Sequence, residues 1–175
     1  MRKLRTSELN RLSAEELKQS KRSPVIVVLD NVRSAYNVGS VFRTCDAFAI
    51  EGIYLCGITA QPPNRELMKT SLGSTDSIPW KYFKSNEEAV RDLKSSGHQI
   101  VLIEQTDESI SLEQFFPEKE KKYALIFGNE VEGIADVILP LAEIALEIPQ
   151  FGTKHSFNIS VSAGIVLWNF FLKLK

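Results

Sequence analysis

Residues 25–43 read VIVVLDNVRSAYNVGSVFR. The stretch opens on five aliphatic residues, Val25 to Leu29, with no polar alternation, which is the pattern of a strand buried on both faces. A polar segment follows, and apolar residues then recur at helical spacing over 37–48. The stretch therefore reads strand, loop, helix. A strand with two buried faces needs helices on both sides of its sheet, and the rest of the chain supplies them. IYLCG (53–57), QIVLIE (99–104), YALIFG (123–128) and IALEI (144–148) are strand-like, with WKYF (80–83) a weaker sixth. Helical patterns fall near 86–96, 131–139 and 158–173. Six strands alternating with helices predict an α/β fold with a mostly parallel six-stranded sheet and helices on both faces.

Upstream, Pro24 closes off a charged segment in which Ser13 and Glu16 have capping-box spacing, so a helix is expected to start there with a shorter one ahead of it. Residues 1–23 hold seven Lys/Arg against three Glu, a balance of +4, which leaves −5 on the remainder of a chain whose net charge is −1. The expected organisation is a basic helical N-terminal extension, 1–23, and one domain, 24–175. The bland alternative for the extension is a solvated helix of mixed charge. At 175 residues and 43% hydrophobic content the chain is large enough to bury a core. No apolar run is long enough to span a bilayer and no apolar leader follows the charged N-terminus, so no membrane association and a cytoplasmic location are expected. Cys45 and Cys56 are too few for a disulfide framework and too far apart for a metal knuckle; buried, reduced thiols are expected.

Ligands of parallel α/β sheets bind beyond the carboxyl ends of the strands. The segments there are DNVRSAYNVGS, GITAQPPN, EQTDES, GNEVEG and PQFGTKHSFN, all rich in hydrogen-bonding groups. Known phosphate grips are missing. Gly128 to Gly133 has P-loop glycine spacing without its Lys and Ser/Thr, and no G-x-G-x-x-G follows any strand. A hydrolase elbow fails because Ser160 takes its first glycine position. The two histidines, His98 and His155, offer no paired ligand spacing, so no metal is expected. What remains is Asn37, Gly39 and Arg43 after the first strand, Gly128-Asn129-Glu130 after the fifth, and IPQFGTKHSFN (148–158) after the sixth. Asn37 is placed to cap the following helix. Arg43 has a bland reading as a surface ion pair with Asp46 or Glu51, and His155 as a solvent-facing loop residue.

With Asn37-x-Gly39-x-x-x-Arg43, Ile126-Phe127-Gly128-Asn129-Glu130-x-x-Gly133 and Ile148-Pro149 leading to Ser156-Phe157-Asn158, the chain from about residue 24 onward resembles the SpoU (TrmH-type) branch of the SPOUT RNA ribose 2′-O-methyltransferases. The resemblance implies an enzyme that transfers a methyl group from S-adenosylmethionine to a ribose 2′-hydroxyl, leaving S-adenosylhomocysteine. It implies a structured RNA substrate, tRNA ahead of rRNA with a guanosine target, a homodimer, and a C-terminal stretch threaded into a deep trefoil knot. A non-catalytic RNA-binding dimer is the alternative. Carried over residue by residue, the catalytic set is Arg43, Asn37, Glu130, Ser156 and Asn158. The donor is expected at Glu104, Gln105, Gly128, Asn129, Ile148, Pro149 and Phe157, and RNA at Arg43 and Lys154; residues 1–23 lie outside the resemblance, and their charge alone adds Arg2, Lys3, Arg5 and Arg11 as RNA-binding residues, with Lys18, Lys21 and Arg22 as further phosphate contacts. Guanidinium has no free lone pair, so orienting the hydroxyl and binding phosphate suit Arg43 better than proton abstraction. Two departures stand out: Phe157 where Leu is common, and Ala49 where the first block often ends in Phe-Gly.

Overall fold

The computed structural model describes residues 1–175, apart from the side chains of Thr6, Ala14 and Lys18; the Lys18 phosphate contact therefore lies outside the described residues. A 3-10 turn, Thr6–Glu8, precedes α1 (Ala14–Gln19), β1 (Ser23–Asp30), α2 (Ala35–Ala47), β2 (Ile50–Cys56), α3 (Arg65–Ser71) and α4 (Ser74–Ser77). Next come β3 (Trp80–Phe83), α5 (Asn86–Ser95), β4 (His98–Ile103), β5 (Ile110–Ser111) and β6 (Lys122–Phe127). A second 3-10 helix, Asp136–Leu141, then β7 (Ile144–Glu147) and α6 (Ile159–Leu174) complete the chain. Among the described residues no helix is long and apolar enough to cross a membrane.

The strands form one sheet of seven in the order β3-β2-β1-β6-β4-β7-β5, and every pairing is parallel. Six strands were expected. The seventh, β5, pairs only Ile110 with Leu146 and Ser111 with Glu147, and two residues are too few to show a period. The absence of alternation in Val25 to Leu29 is explained by two cores. Val25, Val27 and Leu29 face α2 and α6 beside Val38, Phe42, Val166 and Phe170. Ile26 and Val28 face the opposite way, with Ala89, Val90 and Leu93 of α5 and Ile138. β1 lies where the winding reverses, with β2 and β3 on one side and β6, β4, β7 and β5 on the other. Such sheets bind ligands beyond the carboxyl ends of their strands.

Local expectations held unevenly. The capping box forms: Glu16 N donates to Ser13 Oγ (3.2 Å) and Ser13 N to Glu16 Oε2 (2.7 Å). α2 starts two residues before Asn37 and is capped by Ser34, whose hydroxyl accepts from Asn37 N (3.3 Å), so Asn37 is not the cap. The helix expected over 131–139 is a turn followed by the Asp136–Leu141 3-10 helix, with Gly133 at φ 71° interrupting helical backbone. The short α3, capped by Asn64, and α4 were not anticipated.

The basic head is not a loose arm throughout. Leu17 is buried, α1 lies against α4, and Arg22 donates to the carbonyls of Ile50 (3.2 Å) and Ser77 (2.8 Å). Arg22, expected among the phosphate contacts, thus also ties the head to the domain.

Candidate active site

A cavity of about 460 Å³ opens at the carboxyl ends of β4, β6 and β7, walled by residues 103–106, 127–134, 146–148 and 155–157. Of the residues expected at the donor, Glu104, Gln105, Gly128, Asn129, Ile148 and Phe157 line this cavity and Pro149 does not. Ile103, Phe127, Leu146 and Ile148 supply an apolar floor, and the rim is polar.

The loop after β6 gives the cavity its shape. Asn129 and Gly133 exchange backbone hydrogen bonds (3.1 and 3.2 Å), and the Asn129 carboxamide oxygen accepts from Val131 N and Glu132 N (2.8 Å each). Gly128 lies so close to the returning strand of this loop that a Cβ there would overlap the Gly133 carbonyl and Ile134 N. Glu104 closes the loop from β4, with Oε2 accepting from Ile134 N (3.1 Å) and Oε1 from Gln105 N (3.0 Å). Both Glu104 and Asn129 are therefore engaged in holding the loop.

Beside the cavity three distant segments meet. Asn37, in the first turn of α2, donates from Nδ2 to Glu130 Oε1 (2.9 Å) and accepts at Oδ1 from Asn158 Nδ2 (3.3 Å). Asn158 is itself the cap of α6, its Oδ1 accepting from Ser160 N (2.9 Å) and Ser160 Oγ (2.6 Å). Ser156 and His155 are exposed and line the cavity, while Lys154 is exposed outside it.

Arg43 is not in this network. Six residues beyond Asn37, it points roughly 240° around the helix from it and shares an exposed stripe with Tyr36 and Ala47. The ion pair considered for it does not form: Asp46 accepts from Ser77 Oγ, and Glu51 faces His98 Nε2 at 3.7 Å. Among the described residues no carboxylate pairs with Arg43. In the head, Arg2 is held by Glu8 through two bonds (3.0 and 2.6 Å), whereas Lys3, Arg5 and Arg11 are exposed and, among the described residues, without a salt bridge. Cys45 and Cys56 are free and buried; burial pushes both thiols up, Cys56 to about 12, so neither is a nucleophile at neutral pH.

Sequence reasoning passed over Asp30, the last residue of β1. It is 1% exposed, and its Oδ2 accepts from Ala135 N (2.9 Å) just beyond the β6 loop. The available signal was a carboxylate ending a fully buried strand.

A parallel α/β sheet with a loop-built cavity beyond the carboxyl ends of β4, β6 and β7, and an Asn–Glu–Asn cluster beside it, defines a fold that presents a ligand site at its strand ends. The SpoU rRNA Methylase family matches residues 24–168, and the chain belongs to it. It is 29% identical over 157 residues to a tRNA (guanosine(18)-2′-O)-methyltransferase of Aquifex aeolicus, covering 87% of this chain and 71% of that protein. It is 28% identical over 144 residues to the 23S rRNA (guanosine-2′-O-)-methyltransferase RlmB of Neisseria meningitidis, covering 82% of this chain and 56% of the other. A crystal structure of an AdoMet-bound rRNA methyltransferase from Sinorhizobium meliloti superimposes with a TM-score of 0.78 at 29% identity, over 88% of this chain and 59% of that one.

Proposed function

We infer that the protein methylates ribose 2′-hydroxyls of structured RNA with S-adenosylmethionine as donor. The observation that carries this is the meeting of Asn37, Glu130 and Asn158, from three strand-end segments, at the rim of a cavity whose wall needs Gly128, in a chain of the SpoU family. Relatives are named for both tRNA and rRNA; we favour tRNA, with a guanosine target, and keep rRNA and a non-catalytic RNA-binding dimer as alternatives.

The cavity fits the donor. Its apolar floor suits a purine and methylene chain, its rim offers backbone polar groups, and no phosphate has to be held. When bound, the donor supplies an electrophilic methyl on its sulfonium. The work of this chain is alignment: the loops at 104–106, 128–134 and 148–157 hold the donor, and the Asn37–Glu130–Asn158 cluster fixes the rim against which a ribose is placed. Arg43 presents five N–H donors to an RNA phosphate and the attacking hydroxyl, lowering the cost of developing oxyanion character. Ser156 stands where it can bind phosphate.

Arg43 lies off the cavity, on the same side of the sheet as α6, and this supports a homodimer in which it serves the partner's site. The outer face of α6 leaves Val161, Trp168 and Leu172 each about half exposed (48, 51 and 52%). Trp168 stacks on Phe171 (centroids 5.9 Å) and meets Phe48 at a tilt of 44° (6.0 Å) at the seam with α2. An apolar strip of this kind on a soluble domain is a contact surface. In our reading residues 24–175 are the catalytic unit and 1–23 a basic extension that adds phosphate contacts. In the same reading the segment after β7 threads the loop following β6 as a knot; the bond from Asn158, at the start of α6, to Asn37, at the start of α2, fits that path. The protein works in the cytoplasm, where its buried thiols stay reduced.

The test is to incubate the protein with labelled S-adenosylmethionine and total RNA and to map the modified nucleotide. Label on a ribose 2′-oxygen is expected. Intact donor binding with no label in RNA would leave the non-catalytic dimer.

A further inference from the structure

Asp30 is a carboxylate at the end of the central strand, 1% exposed, with no cation paired to it among the described residues. Burying such a charge is unfavourable unless hydrogen bonds replace its water. Here three donors do so. Asn31 Nδ2 (2.7 Å) and Asn86 Nδ2 (2.6 Å) bind Oδ1, and Ala135 N (2.9 Å) binds Oδ2. Asn86 opens α5, so the positive end of that helix also faces the carboxylate. The Asn86 Oδ1 atom is buried without a partner. Turning the amide would set oxygen against carboxylate, so the orientation is dictated by Asp30 even though it leaves the amide oxygen unsatisfied.

The network ends on the loop that shapes the cavity. Ile134 N is held by Glu104 and the next amide, Ala135 N, by Asp30. Two carboxylates, one just after β4 and one at the end of β1, thus clamp consecutive peptide groups at the exit of the 128–134 loop. The Glu104 clamp lines the cavity; the Asp30 clamp is away from it, in the interior. Asn31, at φ 52°, extends the same network to the loop after β2 by accepting from Ile58 N (3.1 Å). An apolar residue at position 30 could fill the space but would leave Ala135 N–H and Asn86 Nδ2 buried without an acceptor.

We propose that Asp30 is a positioning residue for donor binding: it touches neither donor nor RNA, and it holds the β6 loop in its binding shape before the donor arrives. This rests on the donor reading above. A preformed loop spares the donor the cost of ordering it. Asp30→Asn keeps the shape of the side chain but turns one acceptor into a donor, so that at least one of the three N–H groups loses its partner. The loss should fall mainly on affinity. The Kd for S-adenosylmethionine and S-adenosylhomocysteine, measured by calorimetry, is expected to rise about tenfold, the size expected for a hydrogen bond to a charged group. Donor KM should rise with it, and kcat at saturating donor should fall much less. Hydrogen exchange should show faster exchange of amides 133–135 while β1 and β6 stay protected.

A lowered melting temperature with wild-type donor affinity would overturn the proposal and reduce Asp30 to a core hydrogen-bonding residue. If Asp30→Asn does not fold, Asp30→Ser, which keeps one acceptor oxygen, takes its place in the same measurements: weakened donor binding supports the positioning role, and wild-type affinity overturns it. Wild-type protein is the control that separates the two levels. If it binds neither compound the donor reading itself fails; if it binds and Asp30→Asn binds as well, only the positioning role fails.

Discussion

Arg43 and Ala49, six residues apart on the same element and its exit, show how much a single position can carry. Arg43 was readable as a candidate from its spacing to Asn37; that no carboxylate among the described residues neutralises it was not, because its potential partners are occupied by residues far along the chain. Arg43→Ala removes an exposed, unpaired side chain, so stability should change by less than about 0.5 kcal/mol and donor affinity should stay at the wild-type value. Methyl transfer should fall by about a hundredfold or more, as expected for a lost oxyanion-stabilising donor. Normal turnover in a single-turnover assay would remove Arg43 from the mechanism. Arg43→Lys keeps the charge but not the two-pronged geometry, and should recover only part of the loss. Ala49 sits at φ 48°, the left-handed region, directly after α2. This is the physical reason glycine suits the position, and Ala49→Gly should stabilise the protein by about 1 kcal/mol by removing a side-chain clash that L-residues meet there. Chemical denaturation resolves a shift of that size, and a destabilised variant would show that the strain has been misjudged.

At the scale of elements, the strands were legible and the loop after β6 was not. Buried parallel strands show as apolar runs, and β1, β2, β4, β6 and β7 were found from that pattern; β3, WKYF at the sheet edge and only partly buried, gave a weaker signal. The stretch from Val131 to Leu139 has apolar residues at helical intervals, yet no α-helix forms. Gly133 takes a backbone that a helix cannot use, the Asn129 side chain accepts from two successive amides, and Glu104 and Asp30 hold the next two. All of these partners are set by tertiary structure. The same applies to the Asn37–Glu130–Asn158 cluster: each residue was visible as part of a motif, but bonds between positions 93 and 121 residues apart appear only when the sheet is assembled. Gly128→Ala tests the loop as a unit. Its Cβ would overlap backbone, which cannot rotate away, so the loop must open. A loss of about 1–3 kcal/mol in stability is expected, as for overpacking, together with loss of donor binding measured by calorimetry. Retained affinity would mean that the cavity wall is not where the donor sits.

For the whole molecule the issue is how one small domain reaches RNA, and here composition misled in one detail. The first 23 residues count as a single basic extension in the sequence, but they divide in the fold. α1 and Arg22 are docked on the domain through Leu17 and two carbonyl contacts, whereas residues 1–12 carry Lys3, Arg5 and Arg11 in the open. Deleting 1–12 should leave the melting temperature unchanged and reduce the salt dependence of RNA binding by roughly 2 to 3 in log–log slope, close to one per unpaired cation. An unchanged slope would return the head to the status of a solvated segment. The α6 face raises the second question, since a monomer would leave Trp168 half exposed and Arg43 off the cavity. Trp168→Glu places a charge in the centre of that strip. If a second copy covers it, sedimentation should change from dimer to monomer, and transfer should fall because Arg43 loses the site it serves. Donor affinity should fall much less, because the cavity walls come from one chain. A wild-type protein that sediments as a monomer, or a monomeric variant that keeps full activity, would instead require Arg43 to reach the cavity within its own chain, and α2 would have to move for that to happen.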